Sequence, residues 1–248
     1  MVIDLKGKKA LITGGSRGIG RAIAQRLSEA GCDVAINFLR NKKAADEAAK
    51  SFKKTPLVIK ANVGEEESMV EMFETIKKEW GSLDIVVSNA ASGVIKPPME
   101  LTLRHFHWTL DINSWALLSL TQKAVPLMKR GGRIIGISSL GSIRAIPNYT
   151  LVGASKAALE SIIRHLTQEL APKGIHLNAI SAGVVDTEAL KHFSNRDQLI
   201  ENSKQRTPAG RLVEPDDVAK VALFLCSDLS DMIHGQTIIV DGGYSIVA

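Results

Sequence analysis

The sequence predicts a doubly wound α/β fold, with seven strands in one mostly parallel sheet and helices on both faces. Three observations carry this. Short β-branched runs alternate with longer amphipathic stretches along the chain, the pattern of successive βαβ units. The first such run leads directly into a glycine-rich turn and then a helix. No Ser/Gly linker, internal repeat or low-complexity tract interrupts the alternation, so residues 1–248 are expected to form a single domain.

Strands are expected at residues 9–13, 33–38, 57–60, 84–88, 133–138, 176–180 and 236–240. Between the first two, Ile19, Ala22, Ile23, Leu27 and Ala30 recur at helical spacing, as do Val70, Phe73, Ile76 and Trp80 after the third. These faces are expected to cover the sheet. Leu117, Leu118, Leu120, Ala124 and Val125 form a helix surface for the core or for an oligomer contact. Residues 184–211 break the alternation with a polar stretch longer than a minimal crossover needs, suited to a substrate lid.

Composition narrows the class. Hydrophobic residues are 45% and charged residues 23% of the chain, the balance of a globular enzyme and not of a disordered segment. The formal charge of +5 is spread among acids without a basic tract, which argues against nucleic-acid binding. Cys32 and Cys226 have neither CxxC spacing nor a disulfide framework and read as buried apolar thiols. The opening MVIDLKGKKALITGG is too weakly apolar for a signal peptide, and no run reaches the length of a membrane span, so a cytoplasmic location is expected.

The turn after the first strand carries Gly14, Gly15, Ser16, Arg17, Gly18, Ile19 and Gly20, a TGxxxGxG arrangement one residue longer than GxGxxG. Glycines there let the backbone turn sharply and approach a pyrophosphate, whose charge the unpaired N–H groups of the helix start stabilise. That is the dinucleotide site of a Rossmann-like domain. A free ribose 2′-hydroxyl is ordinarily met by an acid at the end of the second strand. Here that strand ends Asn37, Phe38, Leu39, Arg40, and Arg17 sits in the turn, which favours the 2′-phosphate of NADPH. Lys42 and Lys43 either join them or form a solvated helix start.

These residues, with Asn62-Val63, Ser88-Asn89-Ala90-Ala91, Asn113, Ile137-Ser138-Ser139-Leu140-Gly141, Tyr149, Lys156 and Val240-Asp241-Gly242-Gly243, resemble the ordered landmarks of short-chain dehydrogenases/reductases. The resemblance covers nearly the whole chain. It implies that Asn62 and Val63 lie near the adenine, that Asn89 closes on the ribose unless it is a purely structural hydrogen-bonding residue, and that Asn113 supports a proton-relay water unless it is a satisfied interior amide. Ser138, three before Gly141, matches the serine that assists the tyrosine in carbonyl-reducing relatives. Gly183 and Thr187 would lie by the nicotinamide amide and the phosphates. Members ordinarily have Pro-Gly where this chain has Ala182-Gly183, so that turn is less constrained.

The family's tyrosine pairs with a lysine, whose ammonium lowers the phenol pKa for proton transfer. The common spacing is Tyr-x3-Lys, but Val152 stands in that place. Tyr149 precedes Lys156 by seven residues, giving Tyr-x6-Lys, which resembles the enoyl-thioester reductases. Two helical turns, roughly 10 Å, would let the two side chains share a face if the helix starts before the tyrosine. The displacement has a rationale. In enoyl-thioester reduction hydride lands on the β-carbon, two carbons from the carbonyl, so the acid must sit further from the nicotinamide. Tyr149 would then stabilise the enolate oxygen while Lys156 holds the nicotinamide ribose.

The stretches 90–94, 138–144 and 186–193 are similar to enoyl-acyl carrier protein reductase III of bacterial fatty-acid synthesis. The expected activity is therefore NADPH-dependent reduction of trans-2-enoyl thioesters on acyl carrier protein or a coenzyme A analogue. A 3-oxoacyl or other carbonyl reductase and a noncatalytic NADPH-binding sensor are the alternatives. Lys191, His192, Arg196, Lys204 and Arg206 in the lid would receive an acidic carrier or be solvated loop charges. The resemblance implies a homotetramer or homodimer through the helices bearing Asn113 and Lys156. His105 and His107 point in different directions on a helix and make no metal site.

Overall fold

The computed structural model describes residues 3–129, 131–187 and 196–247. Seven strands form one sheet: β1 (Lys9–Ile12), β2 (Asp33–Phe38), β3 (Leu57–Lys60), β4 (Ile85–Ser88), β5 (Gly132–Ser139), β6 (Ile175–Ala182) and β7 (Thr237–Val240). Their order is β3-β2-β1-β4-β5-β6-β7, and every pairing is parallel. All seven expected strands are present. β5 and β6 run further than expected because Ser138 still pairs with Ser181 and Ser139 with Ala182, small or polar residues that carry no strand signal of their own.

Helices cover both faces. On one lie α1 (Gly18–Glu29), α2 (Lys42–Lys50) and α8 (Pro215–Leu225), with Ile23, Leu27, Val218, Ala222 and Leu225 buried against Ile12, Ile36 and Ile135. On the other lie α3 (Glu66–Trp80), α5 (Ala116–Ala124) and α6 (Thr150–Leu170), where Met69, Met72, Ile76, Leu117, Leu120, Leu159 and Ile163 meet Leu11, Val86 and Ile134. Each fully buried leucine or isoleucine contributes roughly 1.5–3 kcal/mol of transfer free energy. Cys32 and Cys226 are free and buried in the first core, and burial pushes the Cys32 thiol up to about 12. No described helix is long and apolar enough to cross a membrane.

α4 (Leu103–Leu110) starts at Thr102, which shares a reciprocal cap with His105. It passes into a π-helical turn, Asp111–Trp115, before α5. Such a turn carries one residue more than α-helical spacing, which reorients the side chains within it. Residues 184–211 include α7 (Arg196–Arg206), while 188–195, with Lys191 and His192, lie outside the described residues.

Far from the carboxyl ends of the strands, β5 and β6 begin with Arg133 beside His176. The His176 ring stacks on His234 at 4.1 Å, and Arg133 pairs with Asp231. Burial, with Arg133 and His234 adding to it, pushes the His176 pKa down to about 4. An unfolded histidine titrates near 6.5, so the unfolded chain binds more protons between those values. The stability this neutral ring contributes is complete above pH ~6.5 and is lost as pH falls through about 4. Between pH 7 and 5, the thermal midpoint of wild type should fall roughly 2–4 °C more than that of His176→Gln. Parallel pH curves for the two proteins would refute the linkage.

Candidate active site

The strand order reverses between β1 and β4, the switch point at whose carboxyl ends doubly wound sheets bind their ligands. Thr13, fully buried, accepts the N–H groups of Asn89 and Ala90 on its Oγ1, both at 3.0 Å. Asn89 answers with its amide, donating to the carbonyls of Thr13 at 2.8 Å and Gly14 at 3.2 Å. The two strand ends are thus locked by four hydrogen bonds that fix where the glycine turn departs.

Gly14 and Gly18 have φ of +63° and +54°, which side-chain-bearing residues rarely adopt. A Cβ at Gly20 would lie 2.4 Å from Asn89 Nδ2 and 2.5 Å from the Gly14 carbonyl oxygen. α1 begins at Gly18 behind an extended Arg17, with no side-chain cap and no acid in its first turn. Its leading N–H groups therefore keep their donor capacity for an anion. Ser16 is buried within the turn, and Ile19 is half-buried behind it. Thr187 lies over the turn, its Cγ2 3.5 Å from where a Gly18 Cβ would stand. These residues fit the pyrophosphate of a dinucleotide.

At the end of β2, Asn37 is buried and faces inward. Its Oδ1 accepts the Gly14 N–H at 3.3 Å, and its Nδ2 donates to the Ala61 carbonyl at 3.0 Å. It ties β2 to the turn and to the exit of β3. Arg17 and Arg40 are exposed, and no described carboxylate pairs with either. Lys42 is also exposed but pairs with Asp46. After β3, Asn62 donates to Glu65 at 2.7 Å and accepts the Gly64 N–H at 3.2 Å, which fixes the loop into α3, while Val63 is buried beside it.

The π-helical turn presents Asn113 to the loop after β4. Its amide accepts the Ser92 N–H at 2.9 Å and donates to the Ser92 carbonyl at 2.8 Å and to Ser155 Oγ at 2.9 Å. Asn113 is thus a satisfied interior amide that ties the β4 loop to α6.

α6 begins at Thr150 with Tyr149 as its N-cap residue, whose carbonyl accepts the Gly153 N–H at 2.7 Å. Asn148 takes φ +61°, a value asparagine tolerates better than most residues, and this turn delivers Tyr149 to the helix entrance. The ring packs on Gly141, where a Cβ would come within 2.5 Å of Tyr149 Cε1. The Tyr149 hydroxyl lies 3.4 Å from Ser139 Oγ. Burial raises the phenol above its ordinary pKa and outweighs the opposing Ser139 hydrogen bond, reversing the direction expected from a nearby lysine. Tyr149 is therefore a protonated donor at neutral pH.

The partnership expected of Ser138 is corrected by the pleat of β5. Ser138 shares a face with Ile134 and Gly136, the face on which α6 packs, and it donates to Glu160. Ser139, one residue later, is the serine at the tyrosine. Lys156 is buried and donates from Nζ to the Ile137 carbonyl at 2.8 Å. Burial pulls its pKa down to about 8 against the raising influence of Glu160. Val152, in the usual tyrosine place, is buried, and its Cγ2 would stand 2.3 Å from a Cβ at Gly93.

Gly183 passes close to Asp241, where a Cβ would lie 2.8 Å from the Asp241 Cβ. Burial of Asp241 works against its charge, but hydrogen bonds from Ser245 and Gly243 prevail and hold its pKa below the ordinary carboxylate value. Among the lid cations, Arg196 pairs with Asp186 and Asp197, Arg206 lies over the Tyr244 ring, and Lys204 is exposed. His105 is used by the α4 cap, and no described group of three or more His, Cys, Asp or Glu side chains is placed to hold a metal.

Sequence reasoning missed Ser139, Glu160 and the π-helical turn. Counting strand alternation from Ile134 would have separated Ser138 from Ser139. No sequence signal marked the turn.

Residues 14–245 match the family described as Enoyl-(Acyl carrier protein) reductase. The chain is 36% identical over 244 residues to 1-cyclohexenylcarbonyl-CoA reductase of Streptomyces collinus, covering 96% of this chain and 87% of that one. It is 35% identical to the enoyl-(acyl-carrier-protein) reductase (NADH) FabI of a Synechocystis species, covering 99% of both chains. Among solved structures, the Bacillus cereus enoyl-acyl carrier protein reductase with NADP+ and indole naphthyridinone superposes with a TM-score of 0.90 at 28% identity, over 100% of both chains.

Gly20→Ala should lower stability by about 1–3 kcal/mol, because its Cβ meets Asn89 and a backbone carbonyl, and should cost at least roughly tenfold in dinucleotide affinity. Urea unfolding and cofactor fluorescence titration check both. Wild-type behaviour in the two assays would show that the turn relaxes freely.

Proposed function

Because the chain belongs to the enoyl-(acyl carrier protein) reductase family, we propose that it uses NADPH to saturate the trans-2 double bond of enoyl thioesters borne on acyl carrier protein or coenzyme A. The observation that carries this reading is the displaced tyrosine. Tyr149 stands at the mouth of α6, beside Ser139, while Val152 closes the nearer position against Gly93. Bound NADPH supplies a hydride to the β-carbon. Tyr149, protonated at neutral pH, donates a hydrogen bond to the thioester oxygen as that oxygen gains negative charge, and a proton then completes the α-carbon.

The other residues prepare that geometry. Gly14, Gly18, Gly20 and the uncapped start of α1 hold the pyrophosphate, with Ser16, Ile19 and Thr187 around it. Asn37 and Asn89 act from beneath, fixing the turn through its backbone. Asn62 and Val63 border the adenine side, and Gly183 shapes the nicotinamide side against Asp241. Lys156 offers an ammonium to the nicotinamide ribose. The exposed Arg17 and Arg40, with no acid at the end of β2, support NADPH over NADH, although the Synechocystis relative carries NADH in its name. The groove lined by Leu118, Ile162, His165 and Leu166 on α5 and α6 supports assembly into a homodimer or homotetramer through these helices.

NADPH absorbance should fall with a trans-2-enoyl thioester and not with a 3-oxoacyl thioester. Tyr149→Phe should lower kcat by about 10²–10³, the usual cost of one donor to a developing oxyanion. Turnover of the 3-oxo substrate would make this a carbonyl reductase with an unusual site, and tight NADPH binding without any turnover would make it a sensor. Arg40→Ala should raise the KM for NADPH roughly tenfold, the value of one charge-assisted contact, and leave that for NADH unchanged. Equal effects on both cofactors would remove Arg40 from 2′-phosphate recognition.

A further inference from the structure

The face of β5 turned toward α6 makes two successive contacts with that helix. The Ile137 carbonyl receives Lys156 Nζ at 2.8 Å, and the next side chain, Ser138, donates its hydroxyl to Glu160. Lys156 and Glu160 are one helical turn apart, and both are buried, with 6% and 7% of their surfaces exposed. A buried carboxylate retained beside a buried ammonium is costly unless each has further hydrogen bonds, and both have them here.

From this arrangement we infer that Glu160, held by Ser138, is a positioning residue that keeps Lys156 in its cationic, ribose-binding form. The inference rests on the placement of Lys156 against the cofactor and is independent of which substrate is reduced. Burial draws the Lys156 ammonium down to about 8, close to physiological pH, even with the Glu160 carboxylate opposing that loss. Of the elements packed against α6, β5 brings Ser138 to Glu160 and Ser139 to Tyr149, and the π-helical turn brings Asn113 and Ser114 to Ser155, all uncharged. Asp111 begins that turn, and Tyr149, raised by burial, stands at the head of the same helix. Neither Tyr149 nor Asp111 lies on the Ser138–Glu160 clip. Ser138 thus serves the site from behind, through a carboxylate, and Ser139 serves it from the front.

The test is NADPH affinity as a function of pH, read by cofactor fluorescence without any acyl substrate. Wild type should lose affinity on the alkaline side as Lys156 deprotonates near its value of about 8. E160Q preserves the shape and an acceptor for Ser138 but removes the charge. Its midpoint should move to lower pH by on the order of one unit, and E160D should restore most of that shift. A purely structural role would lower affinity evenly at every pH and leave the midpoint in place, and that result overturns the inference.

Should E160Q fail to fold, S138A carries the test. It frees the carboxylate from its fixed position, so the midpoint should move in the same direction by a smaller amount, and an unmoved midpoint again overturns the inference. A wild-type protein with no alkaline loss of NADPH affinity would remove the premise about Lys156 and the inference together. Enoyl turnover is scored separately, so failure of the substrate reading leaves this result standing.

Discussion

The junction of β1 and β4 is the constraint on which the rest of the site depends. Thr13 accepts the Asn89 and Ala90 N–H groups on its hydroxyl while the Asn89 amide donates to the Thr13 and Gly14 carbonyls, and the glycine turn leaves from those carbonyls. With Asn89 in that position there is no room for any side chain at Gly20, so α1 can approach the strand closely and aim its first turn outward. Asn37 repeats the logic one strand over, spending its amide on Gly14 and on the exit of β3. The departure of the glycine turn is thus set by side-chain amides as well as by the loop itself.

The arrangement around Tyr149 and Lys156 follows from the pleat of one strand. Odd positions of β5 face the α1 and α8 side and even positions face α6. Where the strand ends, this alternation assigns Ser139 to the tyrosine and Ser138 to the helix that carries the lysine. The tyrosine reaches its place through a left-handed asparagine and a helix that begins one residue after it. The π-helical turn supplies the third support by rotating Asn113 onto the Ser92 backbone.

Much of this was legible in the sequence. β-branched runs located all seven strands, because parallel strands buried on both faces must be apolar throughout. Glycines between a strand and a helix located the turn from which α1 starts, with positive φ at Gly14 and Gly18. Three features were not legible, each for a physical reason. Side-chain direction in β5 depends on a register that two adjacent serines leave ambiguous. The start of α6 was set by a positive φ at Asn148, which a residue's identity permits without requiring. The direction of the Tyr149 shift depends on burial, a property of the folded packing and not of proximity to a lysine in sequence.

The contact between Val152 and Gly93 has a consequence for how such sites can change over generations. The position a tyrosine would need for the commoner spacing is filled by an aliphatic side chain packed against Gly93. A tyrosine introduced there alone would meet the Gly93 loop, which Asn113 holds in place through the neighbouring Ser92. The two tyrosine placements are therefore separated by the packing of that loop. On this scaffold, placing a tyrosine at position 152 calls first for room in the loop after β4, away from Tyr149 itself.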